Sequence, residues 1–198
     1  DVPANLQNYH VREVQTCKGS SNLTAIFGMN YNNGSNAIFL NSTAEATPDS
    51  WVVGPAKMAK GLFTSLSFDR DCILYIGGEG GYFTYDASTG LVDPPETTPQ
   101  EQYLHVYGWD LYNPYVGTGR INRVIAWPGG KPALAGSPIG MFGANEPWNA
   151  TTKPYWTPLR EGMTASRHVT EMALDPVSGN IFVSTSESRA SPKYCRRR

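Results

Sequence analysis

The sequence predicts an all-β protein, and three features of its composition point to that fold class. Only 17% of the 198 residues are charged, below the share of about one quarter that is usual in globular proteins. Glycine (20 residues) and proline (15) are frequent, and aromatic residues make up 12%. A helical chain would be richer in Ala, Leu, Glu and Lys, and a disordered chain would carry more charge and fewer aromatics. We therefore expect one turn-rich β domain over 1–198.

The charge balance excludes two classes of partner. The chain has 16 Lys and Arg against 17 Asp and Glu, a formal net charge of −1. A surface that binds nucleic acid or an anionic membrane needs a clear excess of positive charge. No apolar run approaches the roughly 18 residues that a transmembrane helix requires. We expect neither a nucleic-acid partner nor a transmembrane segment in this chain.

A short pattern recurs along the chain and predicts its strands. In each copy an apolar residue is followed by Asp or Asn, a polar turn and a short apolar strand. The Asp or Asn side chain bonds the turn backbone, and Gly supplies a positive φ. In chain order the copies cover 29–40, 68–76, 109–121 (a looser copy) and 174–183. The first two spacings, about 40 residues, match the roughly 40–45 residues of a four-stranded propeller blade.

Two of these segments resemble blades of the NHL and gluconolactonase-like β-propellers. In the clearer one, 68–78, an Asp turn leads into Leu-Tyr-Ile-Gly-Gly; Tyr-Phe-Thr-Tyr over 82–85 and the turn 86–90 follow, and 174–183 is similar. The resemblance implies a β-propeller, and propellers of this style usually resemble six-bladed rings. About four repeats fit this chain. We therefore expect about four blades, or an incomplete ring completed by another chain, because bare blade edges invite aggregation.

Two predicted loops interrupt this pattern. A polar, Pro-rich loop is expected over 93–102, and a long Pro- and Trp-rich loop or insertion over 127–158. The insertion holds flat aromatic faces beside polar edges, which suit a sugar ring or a protein partner. These candidate ligand-binding residues are Trp127, Asn145, Glu146, Trp148, Tyr155 and Trp156. The other interpretation is that these aromatic side chains pack the insertion against the rest of the β domain.

The sequence predicts no catalytic residue, metal or cofactor for a protein that acts by binding. Neither G-x-S-x-G nor H-E-x-x-H occurs, and the glycine-rich 77–81 leads into a strand rather than a helix, unlike a phosphate loop. Gluconolactonase-like propellers carry a divalent ion on central acidic and Asn side chains. The repeated Asn30, Asp69, Asp110 and Asp175 are instead expected to make the same local turn bond. A propeller hydrolase would need an ion on some of Glu13, Asp69, Asp110, His168 and Glu171.

Several features favour a secretory origin. The chain begins at Asp1 rather than Met, which suggests either that a signal or propeptide has been removed or that the sequence is a fragment. Four N-glycosylation sequons occur, at Asn22, Asn33, Asn41 and Asn149, although unused surface asparagines are the other interpretation. The terminal Arg196, Arg197 and Arg198, in the tail 190–198, resemble the end left by a furin- or kexin-type protease, or else form a solvated basic tail.

The three cysteines, Cys17, Cys72 and Cys195, lack metal-ligand spacing. In an oxidising compartment one pair would close and the third would be free or bonded to another chain. Cys195, near the end, is the natural candidate for an outside bond. A Cys17–Cys195 bridge with Cys72 buried is the other possibility.

These observations favour a secreted or surface-displayed glycoprotein that acts by binding an extracellular protein or carbohydrate. It would be the N-terminal subunit of a processed precursor, with a second chain held by a disulfide or non-covalently. Two further functions stay open: an extracellular propeller hydrolase or lactonase with a divalent ion in its funnel, and a structural coat or matrix glycoprotein.

Overall fold

The computed structural model describes residues 6–17, 22–42, 50–55, 58, 63–78, 81–93, 120–127, 132–138, 140–145, 156–159, 168–175 and 177–186. The elements of this part of the chain are β-strands, grouped into four small antiparallel sheets. The prediction of an all-β fold is confirmed. No helix within the described ranges has the length and apolarity to cross a membrane.

Each sheet is a meander in which chain neighbours pair in order. Sheet 1 contains β1 (Tyr9–Thr16), β2 (Thr24–Asn30), β3 (Asn36–Asn41) and β4 (Val52–Val53). Sheet 2 contains β5 (Phe63–Phe68), β6 (Ile73–Gly78), β7 (Gly81–Asp86) and β8 (Leu91–Asp93). Sheet 3 contains β9 (Arg123–Ile125), β10 (Leu134–Ser137), β11 (Gly140–Ala144) and β12 (Trp156–Leu159). Sheet 4 is the hairpin of β13 (His168–Leu174) and β14 (Ile181–Ser186).

Three hairpins turn in the same way. Each turn begins with Asn or Asp, whose Oδ1 accepts a hydrogen bond from the backbone N–H two residues later, and ends in a left-handed glycine. The pairs are Asn30 with Gly34 (φ 70°), Asp86 with Gly90 (φ 71°) and Asp175 with Gly179 (φ 73°). In each pair the glycine N–H also donates to the carbonyl oxygen of the first residue. The local turn bond predicted for the repeat is therefore present at Asn30 and Asp175.

The turn at Asp69 is a shorter version of the same device. Its Oδ1 accepts hydrogen bonds from the N–H groups of Asp71 (3.0 Å) and Ile73 (2.9 Å). Cys72 takes the left-handed conformation here, with φ 62°, where the other turns use glycine. Because the Asn30 turn joins β2 to β3 and the Asp69 turn joins β5 to β6, the repeat marks a recurring hairpin turn rather than an equivalent position in successive sheets.

The four sheets pack in chain order, and their first strands meet. Strand β1 packs against β5, β5 against β9, and β9 against β13. We call the face that a sheet turns toward the next sheet its forward face, and the opposite one its backward face. Alternation along β6 shows both: Leu74 and Ile76 face sheet 1, whereas Ile73 and Tyr75 face sheet 3.

A disulfide and two hydroxyls join neighbouring sheets in addition to this apolar packing. Cys17, which follows β1, is bonded to Cys72, which precedes β6, with a Cα–Cα distance of 5.6 Å. Ser65 and Ser67 of β5 accept hydrogen bonds from the backbone N–H groups of Val124 in β9 (2.9 Å) and of Ala126, which directly follows β9 (2.8 Å). Sheet 2 is therefore joined to sheet 1 by the disulfide and to sheet 3 by the hydrogen bonds of the two serines.

Part of the stretch 127–158 differs from the sequence-based expectation. Strands β10 and β11 lie inside it and β12 begins at Trp156, so the described part of this expected insertion is mostly regular sheet. Small residues such as Ala135 and Gly136 let the neighbouring sheets approach closely, and this packing requirement is not visible in a Pro- and Trp-rich composition. Residues 94–102 of the other predicted loop lie outside the described residues.

Candidate functional site

A charge network links the first strands of all four sheets. In β1, Glu13 Oε2 accepts a hydrogen bond from the backbone N–H of Leu66 in β5 (2.9 Å). Its Oε1 accepts one from Arg123 Nη1 in β9 (2.6 Å). Arg123 Nε lies 3.0 Å from Glu171 Oε1 in β13. One arginine therefore stands between two carboxylates at the point where the sheets converge.

The two ion pairs of this network differ in strength. The side chains of Glu13 and Arg123 are only 12% and 23% exposed, so the removal of either one would leave a largely buried charge without its partner. Glu171 is 61% exposed, and its short contact with Arg123 Nε lacks hydrogen-bond alignment. Water screens such a contact, which contributes little. The ion pair of Glu13 and Arg123 is therefore the part of the network that stabilises the fold.

Bulges in the first strands direct these side chains. The register shifts between Val11 and Glu13 in β1, between Phe63 and Ser65 in β5, and between Val169 and Glu171 in β13. A bulge re-aims the side chains around it. In each strand the residue that follows the bulge reaches the neighbouring sheet: Glu13 bonds Leu66 and Arg123, Ser65 bonds Val124, and Glu171 contacts Arg123.

A polar cleft of about 470 Å³ opens beside this network. Its lining residues are Thr64, Arg120, Asn122, Pro138, His168 and Thr170. Two of them, Thr64 and Thr170, are the bulged residues of β5 and β13. The Asn122 side chain is fixed by a hydrogen bond from Nδ2 to the Val169 carbonyl oxygen (2.6 Å), and the Thr64 hydroxyl donates to the Ile121 carbonyl oxygen. The volume lies within the range of small-molecule sites.

A propeller hydrolase would need an ion on acidic side chains, but the described acidic residues of that set bind other groups of the protein. Glu13 and Glu171 meet, but through Arg123. His168 lines the cleft, and Asp110 lies outside the described residues. Within the described ranges no three His, Cys, Asp or Glu side chains form a group that could hold a metal ion.

Asp69 is separately engaged in its own turn. Burial raises the pKa of its carboxyl to about 6, against the opposing effect of the hydrogen bonds from the N–H groups of Ile73 and Asp71.

The predicted aromatic patch is only partly described, and one member has a core position. Trp156 is 1% exposed and its Nε1 donates to the hydroxyl of Tyr82 (2.9 Å), with ring centroids 5.0 Å apart. It fills the interface between sheets 2 and 3, so its face is not presented to a ligand. Trp127 is half-buried over Gly179, and Asn145 is exposed. Glu146, Trp148 and Tyr155 lie outside the described residues.

The sequons differ in accessibility. Asn22 and Asn33 are exposed, and Asn33 Oδ1 accepts a hydrogen bond from the Ser35 hydroxyl (2.7 Å). Asn41 is 2% exposed and its Nδ2, the atom that a glycan would occupy, donates to the Ser50 hydroxyl (2.6 Å). The folded structure therefore argues against a glycan on Asn41. Asn149 lies outside the described residues.

Cysteine pairing is settled for two of the three residues. The observed Cys17–Cys72 bond overturns the possibility of a Cys17–Cys195 bridge with Cys72 buried as a free thiol. Cys72 reaches its partner because the Asp69 turn brings it back toward the end of β1. Cys195 and Arg196–Arg198 lie outside the described residues.

Sequence reasoning singled out His168 but missed Arg123 of the charge network. It also missed the remaining cleft residues, which are Thr64, Arg120, Asn122, Pro138 and Thr170. One signal was present: in Phe63-Thr-Ser-Leu-Ser-Phe68, polar residues interrupt a buried strand and point to polar partners across it. The partner of Glu13, 110 positions along the chain, left no such local trace.

Comparisons with family models, with curated proteins and with solved structures found no match to this chain.

Proposed function

We propose that this protein is a secreted or surface-displayed glycoprotein that acts by binding an extracellular protein or carbohydrate in the cleft between the first strands. The single observation that carries the proposal is this cleft, about 470 Å³ in volume and lined mainly by hydroxyl, amide, imidazole and guanidinium groups. Such groups exchange hydrogen bonds with a polar ligand, and the adjacent bulges hold them on strands rather than on loops.

The disulfide supports the extracellular part of the proposal. Cys17 and Cys72 are 55 positions apart and join two sheets. Bonds of this structural kind form and persist in oxidising compartments. The exposed sequons Asn22 and Asn33 are consistent with the same route.

The proposal includes a propeller-like arrangement of the sheets. Each sheet is a meander, and the first strands of successive sheets contact one another, as the inner strands of blades do. In this arrangement the cleft lies near the central axis, where propellers have their channel.

The hydrolase alternative has less support. It needs carboxylates that are available to an ion, whereas Glu13 is hydrogen-bonded to Leu66 and paired with Arg123. Charge neutralisation by a guanidinium leaves little attraction for a divalent cation at this position.

The test is a binding screen of the purified native glycoprotein against an array of neutral and acidic oligosaccharides and a panel of extracellular proteins. Thr170→Trp places a bulky ring in the cleft from an exposed position, and Val177→Trp is the matched control on a 94% exposed turn residue. We expect Thr170→Trp to abolish the wild-type signals and Val177→Trp to keep them. Equal binding by both variants would refute the cleft as the site.

A further inference from the structure

The threonine hydroxyls of the cleft lining are hydrogen-bond acceptors for a ligand, because their protons are already donated. Thr64 donates its hydroxyl proton to the Ile121 carbonyl oxygen. Thr170 donates its own to the Ser184 carbonyl oxygen (3.1 Å). A carbonyl oxygen only accepts, so the direction of both bonds is fixed. Ser184 Oγ, 3.0 Å from Thr170 Oγ1, can occupy at most one of the two lone pairs of that oxygen.

The side-chain amide of Asn122 adds a third fixed acceptor. Its Nδ2 lies 2.6 Å from the Val169 carbonyl oxygen, and only the NH₂ end of an amide can donate to a carbonyl. This bond therefore decides which terminal atom of the amide is the oxygen. Asn122 lines the cleft, and its Oδ1 is an acceptor that the bond to Val169 does not use.

The lining also contains donors, so the cleft combines both kinds of group. The guanidinium of Arg120 donates, and the imidazole of His168 has at least one N–H. A sugar hydroxyl both donates and accepts, and it can therefore bond with the donors and with the fixed acceptors. A carboxylate, sulfate or phosphate group only accepts, and its oxygens would meet the acceptor oxygens of the lining without a hydrogen between them.

The charges around the cleft give an anionic ligand no advantage. The network beside the cleft contains one guanidinium, on Arg123, and two carboxylates, on Glu13 and Glu171. Together with Arg120 of the lining, two guanidinium groups are matched by two carboxylates. Glu171 directly follows Thr170 and is 61% exposed, so its carboxylate is accessible beside a lining residue. A ligand that carries a carboxylate would add a further negative charge to a balanced set.

The size of the cleft favours a sugar over a folded protein. Its volume of about 470 Å³ lies in the range of small-molecule sites, whereas a standard protein–protein interface buries about 800 Å² on each partner. Among the described lining residues Pro138 is the apolar one, and it offers a surface to the C–H face of a sugar ring. We infer, on the basis of the binding function proposed above, that the ligand is a neutral saccharide that donates hydroxyl protons to Thr64, Asn122 and Thr170.

The test compares matched sugar probes on the purified native glycoprotein by isothermal titration calorimetry. Each neutral oligosaccharide that the array detects is paired with its uronic acid counterpart, in which the CH₂OH group of the terminal hexose is oxidised to a carboxylate. We expect the neutral member of each pair to bind roughly tenfold or more tightly, because the carboxylate cannot donate to the fixed acceptors.

Variants at one lining position test the acceptor directly. Thr170→Val removes the hydroxyl oxygen with little change in side-chain size, and it should weaken binding of the neutral probe by roughly three- to tenfold. Thr170→Ser returns the hydroxyl and should bind more tightly than Thr170→Val. The matched control is Thr185→Val, at an exposed threonine of β14 outside the cleft lining, which should bind like the wild type. Thermal unfolding verifies that each variant folds.

The possible results distinguish the ligand class from the cleft itself. Tighter binding of the uronic acid member, binding of proteins alone, or equal affinity of Thr170→Val and wild type would each overturn the neutral saccharide. If Thr170→Trp abolished that same binding, the cleft would still be supported as the site. Binding of no probe, or undiminished binding by Thr170→Trp, would overturn both the ligand class and the proposed function.

Discussion

Sheets 2 and 4 contain the same kind of hairpin in opposite surroundings. In β6, the second strand of sheet 2, all six residues are buried; in β14, the second strand of sheet 4, none is. Both strands follow an Asp turn and have the same apolar-aromatic pattern, Ile-Leu-Tyr-Ile and Ile-Phe-Val. The comparison shows that burial is decided by the position of a sheet in the array, since sheet 2 has neighbours on both sides and sheet 4 on one.

Truncation of one apolar side chain in each strand gives the largest expected contrast. Leu74→Ala in β6 should lower the free energy of unfolding by about 2–5 kcal/mol, because Leu74 is fully buried and the change leaves a cavity. Phe182→Ala in β14 should change it by less than about 0.5 kcal/mol, because Phe182 is 64% exposed, and urea unfolding of both variants measures the difference. A large loss from Phe182→Ala would show that sheet 4 is covered within one chain.

The disulfide gives sheet 2 a second source of stability that the described part of sheet 4 lacks. Replacement of Cys17 and Cys72 together by serine should cost about 2–4 kcal/mol, since the bond closes a loop with a sequence separation of 55. The measurement is chemical unfolding of the double variant, with reduced wild type as the matched control. Equal stability of oxidised and reduced wild type would contradict this expectation.

Gly136 tests how tightly sheet 4 is joined to sheet 3. A Cβ at this position would lie 2.5 Å from Val169 Cγ1, inside any normal contact distance. Gly136→Ala should therefore cost about 1–3 kcal/mol through overpacking. Gly136→Ala combined with Val169→Ala should recover part of the loss, because the second change removes the clashing methyl. Differential scanning calorimetry of both variants measures this; no recovery would argue for a different cause.

The Asp turns that precede the compared strands, at Asp69 before β6 and at Asp175 before β14, should respond to pH in opposite directions. Burial raises the pKa of Asp69 in sheet 2 to about 6, whereas hydrogen bonds from the Ser178 hydroxyl and the Val177 N–H lower the pKa of Asp175 in sheet 4. A carboxyl with a raised pKa stabilises the fold fully below the unfolded value of 3.8, and this stabilisation is lost as pH rises through about 6. The contribution of Asp175 is present above 3.8 and is lost as pH falls through its lowered pKa.

Substitution by Asn separates the two effects. Asp69→Asn keeps an oxygen acceptor but cannot titrate, so the fall in stability between about pH 4 and pH 6 should disappear. Asp175→Asn should leave that window unchanged and reduce the loss at lower pH. Melting temperatures across a pH series provide the measurement, and an unchanged profile for Asp69→Asn would show that its carboxyl is ionised throughout.

Glycan occupancy is the smallest expected effect and tests which sequons of sheet 1 are accessible. We expect glycans on Asn22 and Asn33 and an unmodified Asn41, because only the first two are exposed. Peptide mapping with and without amidase release gives the occupancy. A glycan on Asn41 would mean that β3 lies open in the native protein.

Much of the local structure followed from the sequence alone. The all-β class follows from composition, and the turns at Asn30, Asp69 and Asp175 follow from side-chain chemistry that acts within a few residues. Such interactions are readable because both partners are neighbours in the chain. The Cys17–Cys72 bond was one of two pairings left open, and only three-dimensional proximity could choose between them.

The cleft and its network were decided by the tertiary structure. Glu13 and Arg123 meet because bulges and sheet packing bring β1 and β9 together, and no local pattern encodes a contact across 110 positions. The same packing places Trp156 in the core and Phe182 at the surface, although both are aromatic residues in β-strands. Composition and turn chemistry determine which strands form, whereas the order in which the sheets stack determines which faces are covered and where a ligand has room to bind.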